Sequence, residues 1–352
     1  MVLTRLAARA HKSIVRWLPN EILTMVMSYL LQHELVVLCR TSRLFRNLAT
    51  PMVYRSVTLS TRPQIQFLVR TMTQRSGPSL SNYVREFCIT DEEFELTPAL
   101  IKCIPTVLFK FTRLEALGLL RTDAIECTDM LRDAYFPNLS SFQYTLQHQT
   151  ASLIPPFLNR HPTISDLGLI HGPDPIDQMD VISLPNLTTY SGPGTIACSF
   201  GSDTNQIMVA CLFWYPDDLD VDGPLLHLNR ISSSSLLGIM TMSVSDHPDR
   251  LKVLQRQAAH LPHLVVVQFW RLIGVCARIS REDALKIATC LKQFTSLTVL
   301  ELDNPEQHNG VNVDINHDRE LILLWSRSCK SLSEISLNGR VWTLEHDRWR
   351  IS

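Results

Sequence analysis

One short pattern, apolar-x-x-apolar-x-apolar, recurs along this chain and limits its architecture more than any other feature. It reads Tyr54-x-x-Val57-x-Leu59, Val84-x-x-Phe87-x-Ile89, Leu114-x-x-Leu117-x-Leu119, Leu139-x-x-Phe142-x-Tyr144, Ile164-x-x-Leu167-x-Leu169 and, weakened, Leu187-x-x-Tyr190. It returns as Leu264-x-x-Val267-x-Phe269, Leu297-x-x-Leu300-x-Leu302 and Leu332-x-x-Ile335-x-Leu337. Successive starts lie 30, 30, 25, 25 and 23 positions apart in the first six units, and 33 and 35 apart in the last three. A fixed signature at such intervals marks a stack of repeated units. The last two apolar residues of each unit are two apart, so they share one face of a strand, and the residues between them lie on the other face.

Helical segments are expected between the signatures at Pro98–Phe111, Asp249–His260, Arg281–Phe294 and Asp318–Cys329. In the third of these, Ala284, Leu285, Ala288, Leu291 and Lys292 give one apolar side. Strand and helix in turn, in units near thirty residues, give an α/β fold with a parallel sheet and helices on its outer side. The lead-ins Phe-Thr-Arg-Leu, Phe-Pro-Asn-Leu, Leu-Pro-Asn-Leu, Leu-Pro-His-Leu and Phe-Thr-Ser-Leu make the units resemble irregular leucine-rich repeats, without the Asn/Cys ladder of regular ones. That resemblance implies a curved solenoid over residues 61–352; a doubly wound domain with generic leucine periodicity is the competing architecture. Between Ser191 and His263 the rhythm is lost, and a weak Leu228-x-x-Ile231 reads as one further strand.

Residues Leu18 to Leu59 carry three short helical signals and one strand signal. A Leu-Pro opens the first helix, where proline's fixed φ and missing N–H do least harm. Ile22, Val26 and Leu30, with Met25 and Tyr29, form one apolar stripe, Leu35 and Leu38 a second, and Leu44, Phe45 and Leu48 a third; Pro51 is expected to stop the last helix near Thr50. Helices this short are marginal alone, so their apolar faces must meet the rest of the chain or another protein. The residues Leu18-Pro19-x-Glu21-Ile22, Ser28-Tyr29-Leu30, Leu35, Leu38-Cys39-Arg40, Phe45 and Ala49, followed by Pro51-x-x-Tyr54-Arg55-x-Val57-x-Leu59, resemble an F-box and the strand that follows it, especially in fungal proteins. The resemblance implies a non-catalytic adaptor of a cullin-type ubiquitin ligase. Its F-box, at 17–60, docks a Skp-family adaptor and through it a cullin scaffold, while the repeat domain recruits a protein substrate. By the same resemblance Leu18, Pro19, Ile22, Leu30 and Leu35 match adaptor-facing positions. An ordinary helical cap on an interaction scaffold is the alternative.

Composition narrows the rest. With 352 residues, 45% of them hydrophobic, the chain can bury a large core, and a net charge of −1 argues against nucleic acid as partner. No stretch has the eighteen or so apolar residues of a membrane span. Nine scattered cysteines without a Cys-x-x-Cys pair suit reduced thiols in a cytoplasmic or nuclear protein. Residues 1–16 form a basic lead-in with Arg5, Arg9, Lys12 and Arg16; a mitochondrial transit peptide is its other reading.

Asp218-x-Asp220-x-Asp222-Gly223 opens like a calcium loop, but position seven is Pro224 and position twelve Asn229, and no helix pair flanks it, so a solvated acidic loop is expected. No phosphate cradle, GxSxG elbow or HExxH is present, and no cofactor or metal is expected. The tryptophans Trp214, Trp270, Trp325, Trp342 and Trp349 read as packing residues. If the strands line a concave surface, the candidate substrate contacts are Glu115, Gln143, Asp166, Gln268, Glu301 and Glu334, a mildly acidic set. Phe269-Trp270 is the nearest aromatic anchor.

Overall fold

The computed structural model describes residues 18–74, 77–90, 98–120, 128–148, 150–171, 179–215, 220–232, 234–243, 250–271, 279–302 and 314–351. The basic stretch 1–16 lies outside them. The chain divides into two compact units, residues 1–127 with 136–138, and residues 128–135 with 139–352.

The first unit opens with α1 (Asn20–Met27), α2 (Gln32–Thr41) and α3 (Arg43–Val53). Local chemistry sets their ends. Pro19 is the N-cap of α1, and its carbonyl accepts the N–H groups of Ile22 and Leu23. Glu34 reaches back to the Leu31 N–H at 2.8 Å, and Ser42 Oγ accepts from the Phe45 N–H at 3.2 Å. The helix stop expected near Thr50 is not observed: α3 runs to Val53 with Pro51 inside it. Only the last turn follows the proline, and the Tyr54 N–H still reaches the Thr50 carbonyl at 3.1 Å, so the missing donor does little damage.

Leu23, Met27, Leu35 and Ala49 form the buried centre of the three helices, ringed by Leu30, Leu38, Phe45, Leu48 and Met52. Gln32 ties this bundle to the following strand by donating Nε2 to the carbonyls of Val53 and Ser56, both at 3.1 Å. There β1 (Ser56–Leu59), α4 (Arg62–Thr73), α5 (Gly77–Ser81), β2 (Glu86–Thr90), α6 (Pro98–Leu108) and β3 (Ala116–Leu120) follow in turn. The three strands are parallel, with Val57, Phe87 and Leu117 in one register row and Leu59, Ile89 and Leu119 in the next, all buried. On the opposite face Gly118 lies so close to Cys88 that a Cβ there would sit 2.6 Å from its Sγ.

The second unit contains α7 (Thr128–Asp133), β4 (Ser141–Leu146), α8 (Ile154–Asn159), β5 (Asp166–His171), β6 (Thr189–Pro193), α9 (Gly194–Ala197) and β7 (Val209–Trp214). It continues through α10 (Asp222–Ser232), β8 (Gly238–Ser243), α11 (Arg250–His260), β9 (Val266–Arg271), α12 (Arg281–Leu291), β10 (Val299–Glu301) and α13 (Ile315–Ser328). It closes with β11 (Glu334–Leu337), β12 (Arg340–Glu345) and β13 (Arg348–Ile351). Strands β4 to β11 pair in chain order and in parallel, and β12 and β13 add antiparallel. Each signature supplies the buried residues of its strand, Phe142 and Tyr144, Leu167 and Leu169, and Val267 and Phe269 among them.

Two expectations are corrected here. Leu228 and Ile231 lie in the helix α10, not in a strand, since an i, i+3 apolar pair fits a helix as well. The rhythm also persists through 191–263, with strands on Ile207-x-x-Ala210-x-Leu212 and Leu236-x-x-Ile239-x-Thr241. A small alanine and a polar threonine stand at the positions that other units fill with large apolar groups. Thr241 is nonetheless buried, its hydroxyl accepting from Gln257 Nε2 at 2.9 Å. In α12 the buried residues are Ala284, Ile287, Ala288, Cys290 and Leu291, while Leu285, expected on the apolar side, is exposed.

The antiparallel end is held by charge. Asn338 and Gly339 have φ of 51° and 73°, the conformation of a two-residue hairpin turn, which Asn-Gly adopts readily. That turn brings Asn338 Nδ2 to 2.8 Å and Arg340 Nη1 to 2.9 Å from the two oxygens of Asp318, which is fully buried on α13.

Candidate interaction surfaces

Helix α1 and the turn after it carry two apolar stripes rather than one. Leu23, Met27 and Leu30 point into the bundle, whereas Ile22, Met25, Val26 and Tyr29 are exposed, Val26 by 56% and Tyr29 by 84%. At 100° per residue the two sets lie about a third of a turn apart. Burying the first set satisfies the subdomain's own core and leaves the second in water. Leu18, Leu31, Val36 and Val37 are exposed as well. Exposed apolar surface of this kind is what protein partners commonly cover. A groove of about 390 Å³ lies between the bundle and β1, lined by Met27, Leu30, Leu35, Met52, Arg55 and Thr58 among others.

The sequence-predicted adaptor residues therefore divide. Leu18, Pro19 and Ile22 are exposed, and Leu30 is partly buried against the core. Leu35 is only 6% exposed, so it holds the bundle together and is not on the open surface. With Ile22, the residues Met25, Val26 and Tyr29 are the exposed members of the stripe, and Leu31 is exposed just after it.

The candidate substrate residues fall in both units. Glu115 belongs to the first, where it pairs with Arg85 across 3.2 Å. In the second, Asp166 accepts from Ser141 Oγ at 2.9 Å, and Gln143 is exposed beside Gly168. Gln268 and Glu301 are registered neighbours and bond directly, Nε2 to Oε2 at 2.7 Å. Trp270 donates its indole N–H to Glu301 Oε1 at 3.0 Å. Glu334 is registered against Val299. Alternation splits the aromatic pair, since Phe269 is buried under the helices and Trp270 stands half-buried on the opposite face with Gln268. Trp214, Trp325, Trp342 and Trp349 are buried.

Asp218 of the acidic run lies outside the described residues. Asp220 accepts from the Gly223 N–H at 3.0 Å, and Asp222 Oδ1 meets His260 Nε2 at 2.7 Å and Arg256 Nε at 3.4 Å. Both carboxylates thus serve the start of α10 and its neighbour α11. Among the described residues no three His, Cys, Asp or Glu side chains converge as metal ligands would, and no helix is long and apolar enough to cross a membrane. Burial pushes the Cys211 thiol up to about 11, against a smaller opposing effect of a Ser191 hydrogen bond, so it stays protonated and weakly nucleophilic at neutral pH.

No curated protein matches the sequence of the chain. A family model does: residues 16–60, which span the three helices and β1, match the F-box-like family. The segment that leaves an apolar helix face in water is therefore an F-box-like domain.

Proposed function

We propose that the chain is the substrate-recognition subunit of a cullin-type ubiquitin ligase, working in the cytoplasm or nucleus. The observation that carries this reading is the exposed stripe Ile22, Met25, Val26 and Tyr29 within the F-box-like segment. A Skp-family adaptor covers that stripe and links the chain to the cullin. The second unit holds a protein substrate on the sheet face that its helices leave open. No side chain of this subunit performs chemistry: it raises the local concentration of substrate lysines near a separate ubiquitin-conjugating enzyme.

Co-purification tests it. The full chain, co-expressed with a Skp-family adaptor, retains it at near-equal yield. A Leu18→Ala, Pro19→Ala, Ile22→Ala variant of unchanged melting temperature loses it. Retention by that variant would count against the reading, as would failure of the wild-type chain to bind.

A further inference from the structure

The sheet of the second unit ends in a strand whose far side has no partner among the described residues. β13 pairs with β12 alone, Thr343 opposite Arg350 and Leu344 opposite Trp349. His346 and Asp347, at φ of 48° and 63°, make the two-residue turn between the strands, so the flanking Glu345 and Arg348 form a hydrogen-bonded pair. Alternation along an antiparallel ladder then turns the backbone N–H and C=O of Trp349 and Ile351 away from β12. The Leu344 N–H, opposite Trp349, agrees: it bonds at 2.9 Å to the Ser333 carbonyl on its other side. Trp349 and Ile351 therefore offer outward main-chain groups, the kind of edge to which a further strand adds.

The side chains select that strand. Trp349 and Ile351 lie on the helix side with Trp342 and Leu344, since Trp342 is registered against the buried Ile335. Leu344 and Ile351 are exposed there. Arg348 and Arg350 lie on the opposite face, both exposed. On that face Glu345 is the one acid of the hairpin, registered against Arg348 and 3.4 Å from Arg350 Nη1, while Asp347 lies in the turn, past the end of the paired residues. One carboxylate between two guanidinium groups leaves the face positive. Arg348 itself makes no hydrogen bond or ion pair among the described residues.

A second copy of the chain is a poor occupant. Opposed residues of an antiparallel pair share a face, so setting Trp349 against the copy's Trp349 or Ile351 brings Arg348 opposite Arg350, or Arg350 opposite itself. Like charges directly opposed weaken the pairing, and acids at the same places strengthen it. We propose that the free side of β13 binds an extended protein segment in which acidic and apolar residues alternate. The acids sit beside Arg348 and Arg350, the apolar residues sit beside Trp349 and Ile351, and main-chain bonds join the outward groups of the latter two. This surface is separate from both the adaptor stripe and the open sheet face, and it rests on neither reading.

The test uses the full chain and fluorescein-labelled peptides with Glu-Val-Glu-Val, Ser-Val-Ser-Val or Lys-Val-Lys-Val between flanking serines, plus a Glu-Glu-Val-Val control. By anisotropy, the alternating Glu peptide should bind about 10-fold tighter than the Lys peptide, with the Ser peptide between them. The control, whose charges fall on both faces, should bind no better than the Ser peptide. Ile351→Pro removes an outward N–H and no bond to β12, and it should abolish binding of every peptide. Arg348→Glu combined with Arg350→Glu should reverse the Glu-over-Lys order. Should that pair fail to fold, Arg348→Ser alone should cut the ratio to about 3-fold. Hydrogen exchange in residues 348–351 should slow when the Glu peptide is bound. Equal binding of the peptides, absence of binding, a tight control, a preference surviving charge reversal or wild-type binding by Ile351→Pro overturns the inference. So does a dimer of the chain that Ile351→Pro dissolves.

Discussion

Met27 and Val26 are adjacent in sequence and opposite in consequence. Met27 is 2% exposed, and truncating such a residue to alanine leaves a cavity worth about 2–5 kcal/mol of stability. Val26 is 56% exposed, and Val26→Ala should change stability by less than about 0.5 kcal/mol. Binding reverses the order. Full burial of Ile or Val contributes about 1.5–3 kcal/mol, and scaling by the 39% and 56% that Ile22 and Val26 leave in water gives roughly 1 kcal/mol each. An Ile22→Ala, Val26→Ala pair should therefore weaken adaptor binding by about 2 kcal/mol, or roughly 30-fold. Titration calorimetry against purified adaptor and thermal melts followed by circular dichroism give the two numbers for each variant. A Val26 variant that loses stability like Met27→Ala, or an Ile22, Val26 pair that binds at wild-type strength, would refute the assignment of the two stripes.

Three further outcomes follow from packing and charge. Arg340→Met strands the buried carboxylate of Asp318 with less compensation and should cost about 3 kcal/mol, read from urea denaturation; a loss under about 1 kcal/mol means the pair is incidental. His161 is buried, and that burial holds its pKa below the ordinary value of 6.5, opposed by its bond to the Phe157 carbonyl and reinforced by Arg160. The unfolded chain then takes the proton first, so the stability linked to this residue is complete above pH 6.5 and declines as pH falls below it. His161→Phe should flatten the urea midpoint between pH 7 and pH 5, and an unchanged slope contradicts this. Gly194→Ala would place a Cβ 2.9 Å from the fully buried Trp214 ring and should destabilise by about 1–3 kcal/mol, seen as a lower melting temperature; a neutral outcome would mean the ring can shift.

The repeating strands were legible because large apolar residues two apart mark a half-buried strand, as at Leu117 and Leu119 or Leu167 and Leu169. The pattern faded where Ala210 and Thr241 replaced those side chains, since an alanine gives little hydropathy signal and a threonine bonded inside the core looks polar in sequence. Leu228 and Ile231 misled because three-residue spacing suits either element. The bundle's exposed helix was readable as apolar but not as two-sided: Leu23 and Met27 do not differ in kind from Ile22 and Val26, and only tertiary packing sorts them. On the sheet, Gln268 and Glu301 share a face by parity alone, but their contact needs the register of β9 with β10, which spacing does not fix.

A helix eight residues long that spends half its greasy side chains inward has little left with which to protect itself. Whatever covers the other half adds its binding energy to folding, about 2.7 kcal/mol when present at a hundred times its dissociation constant. Lone copies forgo that increment and offer quality-control machinery a hydrophobic handle. On the proposed reading, the stability of the subunit would rise and fall with the supply of its adaptor.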